Sequence, residues 1–136
     1  MPSTALARDV ERSRLFRVSL ALLQDEAGAD KVAAVLPAAA LCSVNLSEVA
    51  GKLCDHGVPP SAVREMLDSL NLDVRVFDAT LAYATGALRS STAKLGFSLG
   101  DRACLALARQ LGVPTLTADH AWKRIQVPGI RVELIR

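Results

Sequence analysis

The stretch that most constrains the fold of this chain runs from Ser98 to Trp122 and reads SLGDRACLALARQLGVPTLTADHAW. Ser98 followed three residues later by Asp101 forms a capping-box pattern, which predicts that a helix begins here. Apolar residues then recur at helical spacing until Gly112, where the helix is expected to end. The β-branched run Val113–Thr117 predicts a buried strand that leads into Asp119. One carboxylate is thus expected at the start of a helix and another just beyond a strand.

Other strands are predicted on both sides of this stretch. The candidates are the apolar run Ala39–Val44 and two runs that alternate apolar and polar residues, Leu72–Val76 and Ile130–Ile135. The run Leu72–Val76 is expected at a sheet edge. Helical patterns separate them, and Asn45 is predicted to cap the helix that follows Ala39–Val44. The segment Arg89–Phe97 is predicted to be a polar loop. Strands that alternate with helices indicate right-handed crossovers and a parallel sheet, which places the chain in the α/β class.

Length and composition set the class of protein further. A chain of 136 residues that is 51% hydrophobic forms one domain with a core of its own. No apolar run is long enough to span a membrane, and no secretory signal is visible in the sequence, because no apolar stretch adjoins the basic residues near its start. Cys42, Cys54 and Cys104 lack the paired spacing of a zinc site and are interpreted as buried thiols in a reducing cytoplasm.

The net charge of +2 is concentrated near the N-terminus. Residues 1–17 contain four arginines against two acids, so the remainder of the chain is close to neutral. A basic arm that contacts nucleic acid and a solvated terminus both fit this distribution.

Three acids are expected at the same edge of the predicted sheet. Glu48 follows the strand Ala39–Val44, Asp101 opens the central helix, and Asp119 follows the strand Val113–Thr117. Clustered carboxylates repel one another, and a divalent cation such as Mg²⁺ removes that conflict while leaving positions for water and phosphate. A purely structural role remains open, because Glu48 and Asp101 fit capping boxes and Asp119 fits a cap of the short helix around Trp122.

Three short motifs carry a resemblance to a known family. They are SVNLSEV at Ser43–Val49, SLGD at Ser98–Asp101 and TAD at Thr117–Asp119. Together they resemble the PIN-domain nucleases, in particular the VapC-type toxins of bacterial toxin–antitoxin pairs, from about Leu20 to the C-terminus. The resemblance implies a three-layer α/β PIN-like fold, with a parallel sheet of four to five strands flanked by helices.

The resemblance also implies an activity and a set of partners. Glu48, Asp101 and Asp119 match family acids that bind Mg²⁺ or Mn²⁺ and hydrolyse RNA, and Ser98 and Thr117 match polar positions that orient ligands. The implied partners are an RNA substrate, a cognate antitoxin protein and a second copy of the chain in a homodimer, with no membrane. The implied location is the cytoplasm.

The chain departs from the family pattern at its N-terminus. Leu15 stands where family members carry their first metal-binding Asp, and Glu11–Arg14 would bury three charges if it formed a central strand. Residues 1–14 are therefore predicted to be a divergent arm and 15–136 the PIN-like domain. Either the chain repacks with Leu15–Val18 as its first strand, or the N-terminus is not the ancestral one, as after a frameshift or a displaced start. This departure keeps a second function open, a catalytically inactive PIN-like domain that binds its antitoxin. A receiver-type signalling domain is disfavoured, because no acidic pair follows the first strand.

Overall fold

The computed structural model describes residues 14–16, 39–117 and 119–134, and these residues contain a five-stranded parallel sheet. The strand order is β3-β2-β1-β4-β5, and every neighbouring pair is parallel. The strands are β1 (Arg14–Phe16), β2 (Ala39–Cys42), β3 (Asp73–Arg75), β4 (Thr115–Thr117) and β5 (Val132–Leu134). The predicted parallel sheet is confirmed, and β3 lies at one of its edges.

Helices connect the strands in the described part of the chain. They are α1 (Ser43–Asp55), α2 (Pro60–Asp68), α3 (Ala79–Ala87), α4 (Arg89–Thr92) and α5 (Leu99–Leu111), with 3-10 helices at Ala93–Leu95 and His120–Arg124. None of these helices combines the length and the apolar character that crossing a membrane requires.

The two faces of β2 pack against different helices. Ala40 and Cys42 face a core that includes the buried residues Leu81 of α3 and Leu105 of α5. Ala39 and Leu41 face a second core formed with residues of α1 and α2, namely Val49, Leu53, Val63 and Leu67. Because the sheet separates two layers of helices, the predicted three-layer α/β fold is confirmed.

Helix α5 is the central helix, and its sequence accounts for both of its ends. The Ser98 hydroxyl accepts a hydrogen bond from the Asp101 backbone N–H (3.2 Å), and the Asp101 carboxylate accepts one from the Ser98 N–H (3.0 Å). At the other end Gly112 adopts φ 70°, a left-handed conformation that favours glycine. Between them Ala103–Ala108 is at most 3% exposed, and its three alanines let neighbouring elements approach closely. The predicted capping box and helix end are confirmed.

The start of α1 differs from the prediction. The helix begins at Ser43 after Cys42, which makes no side-chain cap hydrogen bond, so the prediction that Asn45 caps it is wrong. Asn45 lies inside the first turn and is fully buried, and its amide bonds to the distant Gly100 carbonyl instead of to its own helix terminus.

Two further expectations are wrong. Arg89–Phe97 is not a loop but contains α4 and a 3-10 helix, because no glycine or proline interrupts the chain before Gly96. Cys54 is exposed near the end of α1, whereas Cys42 and Cys104 are buried as predicted.

The central strand begins close to the expected place. Strand β1 starts at Arg14, one residue before the predicted boundary, and pairs with both β2 and β4. Residues 1–13 and the predicted strand positions 17 and 18 lie outside the described residues, so the N-terminal arm stays a prediction.

Gly51 offers a test of the α1 assignment. It is exposed in the helix interior, and a Cβ added there would meet no atom within 4 Å. We expect Gly51→Ala to raise the free energy of unfolding by about 0.5–1 kcal/mol, because alanine loses less backbone entropy in a helix. Gly57→Ala is the control, expected to lower stability because Gly57 adopts φ 88°. Urea denaturation measures both, and shifts of the same sign would contradict the assignment.

Candidate functional site

The strand order marks a position at the carboxyl edge of the sheet where open α/β sheets bind ligands. From β1 the chain moves outward through β2 to β3, and it returns on the other side of β1 through β4 to β5. The strand order therefore reverses between β1 and β4, and ligands of open α/β sheets bind beyond the carboxyl ends of the strands at such a point. Helix α1 follows β2 directly, and α5 ends where β4 begins, so both helices start at this edge.

Glu48 lies in the second turn of α1, next to the first turn of α5. Its Oε1 accepts a hydrogen bond from Asn45 Nδ2 (3.1 Å). Its carboxylate packs against the Cα of Gly100 and fills the space that a side chain would take at that position. Since Asp101 is the next residue, Glu48 and Asp101 belong to two helix starts that are in contact.

Asp101 is nine-tenths buried and has the structural role that the sequence predicts. Its Oδ2 accepts the hydrogen bond from the Ser98 backbone, which completes the capping box of α5. A carboxylate offers about four acceptor sites, so this role is compatible with a second role as a ligand.

Asp119 follows β4 and is exposed. Its Oδ1 accepts a hydrogen bond from the Ala121 N–H (2.9 Å), so Asp119 caps the 3-10 helix His120–Arg124, as the structural interpretation predicted. The buried Thr117 hydroxyl accepts a hydrogen bond from the Asp119 N–H (3.1 Å) and fixes the backbone at that point. Thr117 therefore orients Asp119.

The three acids are not gathered into one cluster. Among residues 39–117 and 119–134, no three His, Cys, Asp or Glu side chains form a group able to hold a metal ion. The sequence contains no acid between residues 12 and 24, the stretch that includes β1. Carboxylate oxygens are nevertheless the type of ligand that Mg²⁺ prefers.

The roles of Asn45 and Gly100 in holding Glu48 were not predicted from the sequence. Asn45 Oδ1 is buried, and no donor in the described part of the chain reaches it. Unpaired buried acceptors of this kind are uncommon away from functional sites. The sequence shows an asparagine three residues before Glu48 and a glycine immediately before Asp101, but neither feature predicts that Asn45 and Gly100 are in contact.

Trp122 is excluded as a base-stacking residue. It is 1% exposed, and its ring packs on Phe97 at a centroid distance of 4.9 Å. His120 is exposed at the start of the 3-10 helix.

Comparison with known proteins identifies the family. The PIN domain family model matches residues 17–128, so the chain belongs to the PIN domain family. A DNA-bound VapBC structure from Salmonella typhimurium is similar, with TM-score 0.68 and 18% identity over 90% of this chain and 98% of that one. VapBC2 from Rickettsia felis, bound to a promoter DNA fragment, gives TM-score 0.65 and 17% identity over 89% of this chain and 97% of that one. Comparison with curated protein sequences gives no significant match.

The three cysteines differ in exposure and offer a test of the packing. Burial raises the pKa of the Cys42 thiol; backbone hydrogen bonds from Val44 and Asn45 oppose this, and the Glu48 charge adds to it. Cys42 therefore stays protonated at neutral pH, and thiols react as thiolates. We expect iodoacetamide to label Cys54 in the native protein much faster than Cys42 or Cys104, as measured by mass spectrometry of peptides. Rapid labelling of Cys42 at pH 7 would contradict the packing at the start of α1, and labelling in urea is the control.

Proposed function

We propose that this chain is a metal-dependent endoribonuclease of the VapC type, the toxin of a toxin–antitoxin pair. The observation that carries the proposal is the packing of the Glu48 carboxylate against Gly100, beside Asp101, at the edge where the strand order reverses. Membership of the PIN domain family and the likeness to two VapBC structures support it.

Glu48, Asp101 and Asp119 are the residues that would hold Mg²⁺ or Mn²⁺. Such an ion, once bound, neutralises charge on the phosphodiester and lowers the pKa of a water ligand. The protein contributes position: the capping box fixes Asp101, and the Thr117 hydroxyl fixes the backbone of Asp119. Ser98 acts through Asp101 rather than on the ligand itself.

The proposed partners follow from the same likeness. An RNA is the substrate, a cognate antitoxin protein binds the toxin, and a second copy completes a homodimer in the cytoplasm. The VapBC complexes of similar fold support the antitoxin partner.

A catalytically inactive PIN domain that still binds its antitoxin is the second candidate. Two observations favour it: the acid-free stretch between residues 12 and 24, and the lack of a three-acid group in the described residues. Its first strand then serves the fold without contributing to a metal site.

RNA cleavage distinguishes the two candidates. The purified chain should cut single-stranded RNA in millimolar Mg²⁺ or Mn²⁺ and stop in EDTA. Asp119→Asn should reduce the rate about 100-fold or more, because the carboxylate charge that holds the metal is lost. Asp55→Asn is the matched control, since Asp55 is exposed at the other end of α1. No cleavage by wild type with either ion would leave the inactive candidate.

Thermal unfolding tests whether Asp101 is more than a cap. In EDTA, Asp101→Ala should lower stability by about 1 kcal/mol, because the capping box is lost. Wild type should gain roughly 1 kcal/mol at Mg²⁺ concentrations several-fold above Kd, since only the folded chain binds the ion. The variant should not gain, and Asp55→Asn should behave as wild type. A wild type that melts identically in Mg²⁺ and EDTA would show Asp101 to be structural only.

A further inference from the structure

The amide of Asn45 joins the starts of two helices. Its Nδ2 donates one hydrogen bond to the Gly100 carbonyl oxygen (3.0 Å) and another to Glu48 Oε1 (3.1 Å). A side-chain amide has two N–H groups, so both are used. One fully buried side chain thus ties the first turn of α1 to the first turn of α5 and holds Glu48 at the same time.

Gly100 completes the arrangement from the other side. A Cβ at this residue would lie far inside van der Waals contact with both carboxylate oxygens of Glu48 and with its Cδ. Gly100 is helical and has no positive φ, so backbone conformation does not require glycine there. A side chain at this position would instead displace the Glu48 carboxylate from the place it occupies.

The orientation of the Asn45 amide is set by its neighbours. The Gly100 carbonyl and the Glu48 carboxylate are both acceptors, so Nδ2 must face them and Oδ1 must face away. Within the described residues Oδ1 then meets no donor, although it is buried. An unpaired buried acceptor costs free energy, and departures of this kind are typical of functional sites.

We propose that Asn45 and Gly100 are positioning residues for Glu48, which fix its carboxylate at the carboxyl edge of the sheet for cation binding. This inference rests on the proposed function. Asn45 restrains Glu48 from one side by a hydrogen bond, and the missing side chain of Gly100 leaves room for it on the other. The restraint keeps the Glu48 carboxylate against the first turn of α5, where Asp101 lies.

The role of Gly100, which is to leave room for the Glu48 carboxylate, can be tested without a metal ion. In EDTA, Gly100→Ala should lower the urea midpoint of wild type modestly, because the new methyl displaces the flexible end of the Glu48 side chain and breaks its hydrogen bond with Asn45. In the Glu48→Ala background the same change should leave the midpoint unchanged or raise it, as expected of Gly51→Ala, since there is no Glu48 carboxylate to displace. Equal shifts in both backgrounds would overturn the role of Gly100.

The claim that Asn45 and Gly100 position Glu48 for cation binding is tested by the affinity of the full chain for Mn²⁺, measured by electron paramagnetic resonance. Asn45→Leu is close to asparagine in volume, has no N–H to donate and adds no charge, and it should weaken Mn²⁺ binding about 10- to 100-fold. Gly100→Ala should weaken binding similarly, and the control Gly51→Ala should leave it unchanged. Circular dichroism verifies that each variant folds.

The outcomes separate this inference from the proposed function. If wild type binds Mn²⁺ and both Asn45→Leu and Gly100→Ala bind it equally well, the positioning role is overturned while the metal site stands. If wild type binds no Mn²⁺ at millimolar concentration, the proposed function fails and the positioning role fails with it.

Discussion

The contact between the first turn of α1 and the first turn of α5 is the constraint on which the site depends. In this contact the fully buried amide of Asn45 donates hydrogen bonds to the Gly100 carbonyl and to Glu48. The Glu48 carboxylate packs against the Cα of Gly100, which carries no side chain. Because α1 follows β2 and α5 precedes β4, this contact links elements on both sides of the central strand. The same contact brings Glu48 next to Asp101, so it determines both how the two helices pack and where these two carboxylates lie.

Each acid at this edge also has a structural role. Asp101 completes a capping box, Asp119 caps a 3-10 helix, and Glu48 accepts the hydrogen bond of Asn45. Such bonds hold each carboxylate in one orientation without any ion, which limits how far the acids can approach one another. A cation bound at this edge, as proposed, would share the carboxylate oxygens with these hydrogen bonds, since a carboxylate offers about four acceptor sites.

The sequence predicted the features that depend on interactions between residues close together in the chain. The Ser98–Asp101 capping box, the Gly112 helix end and the edge position of β3 depend on residues close in sequence, and all are confirmed. Asn45 was predicted to be a cap because its true partner, the Gly100 carbonyl, is 55 residues away. The exposure of Cys54 was missed for a similar reason, since an apolar stripe on α1 does not reveal which part of it the sheet covers. The likeness of three short motifs to PIN domains identified the family, which the family model confirms.

Crystallography with Mn²⁺ tests the central claim most directly. Crystals soaked in millimolar Mn²⁺ and measured at the manganese absorption edge should give an anomalous peak within ligand distance of Glu48 and Asp101, with the Asn45 amide still bonded to the Gly100 carbonyl. No anomalous peak at the carboxyl edge of the sheet, in crystals where that edge is open to solvent, would contradict the claim that the contact between α1 and α5 forms a cation site.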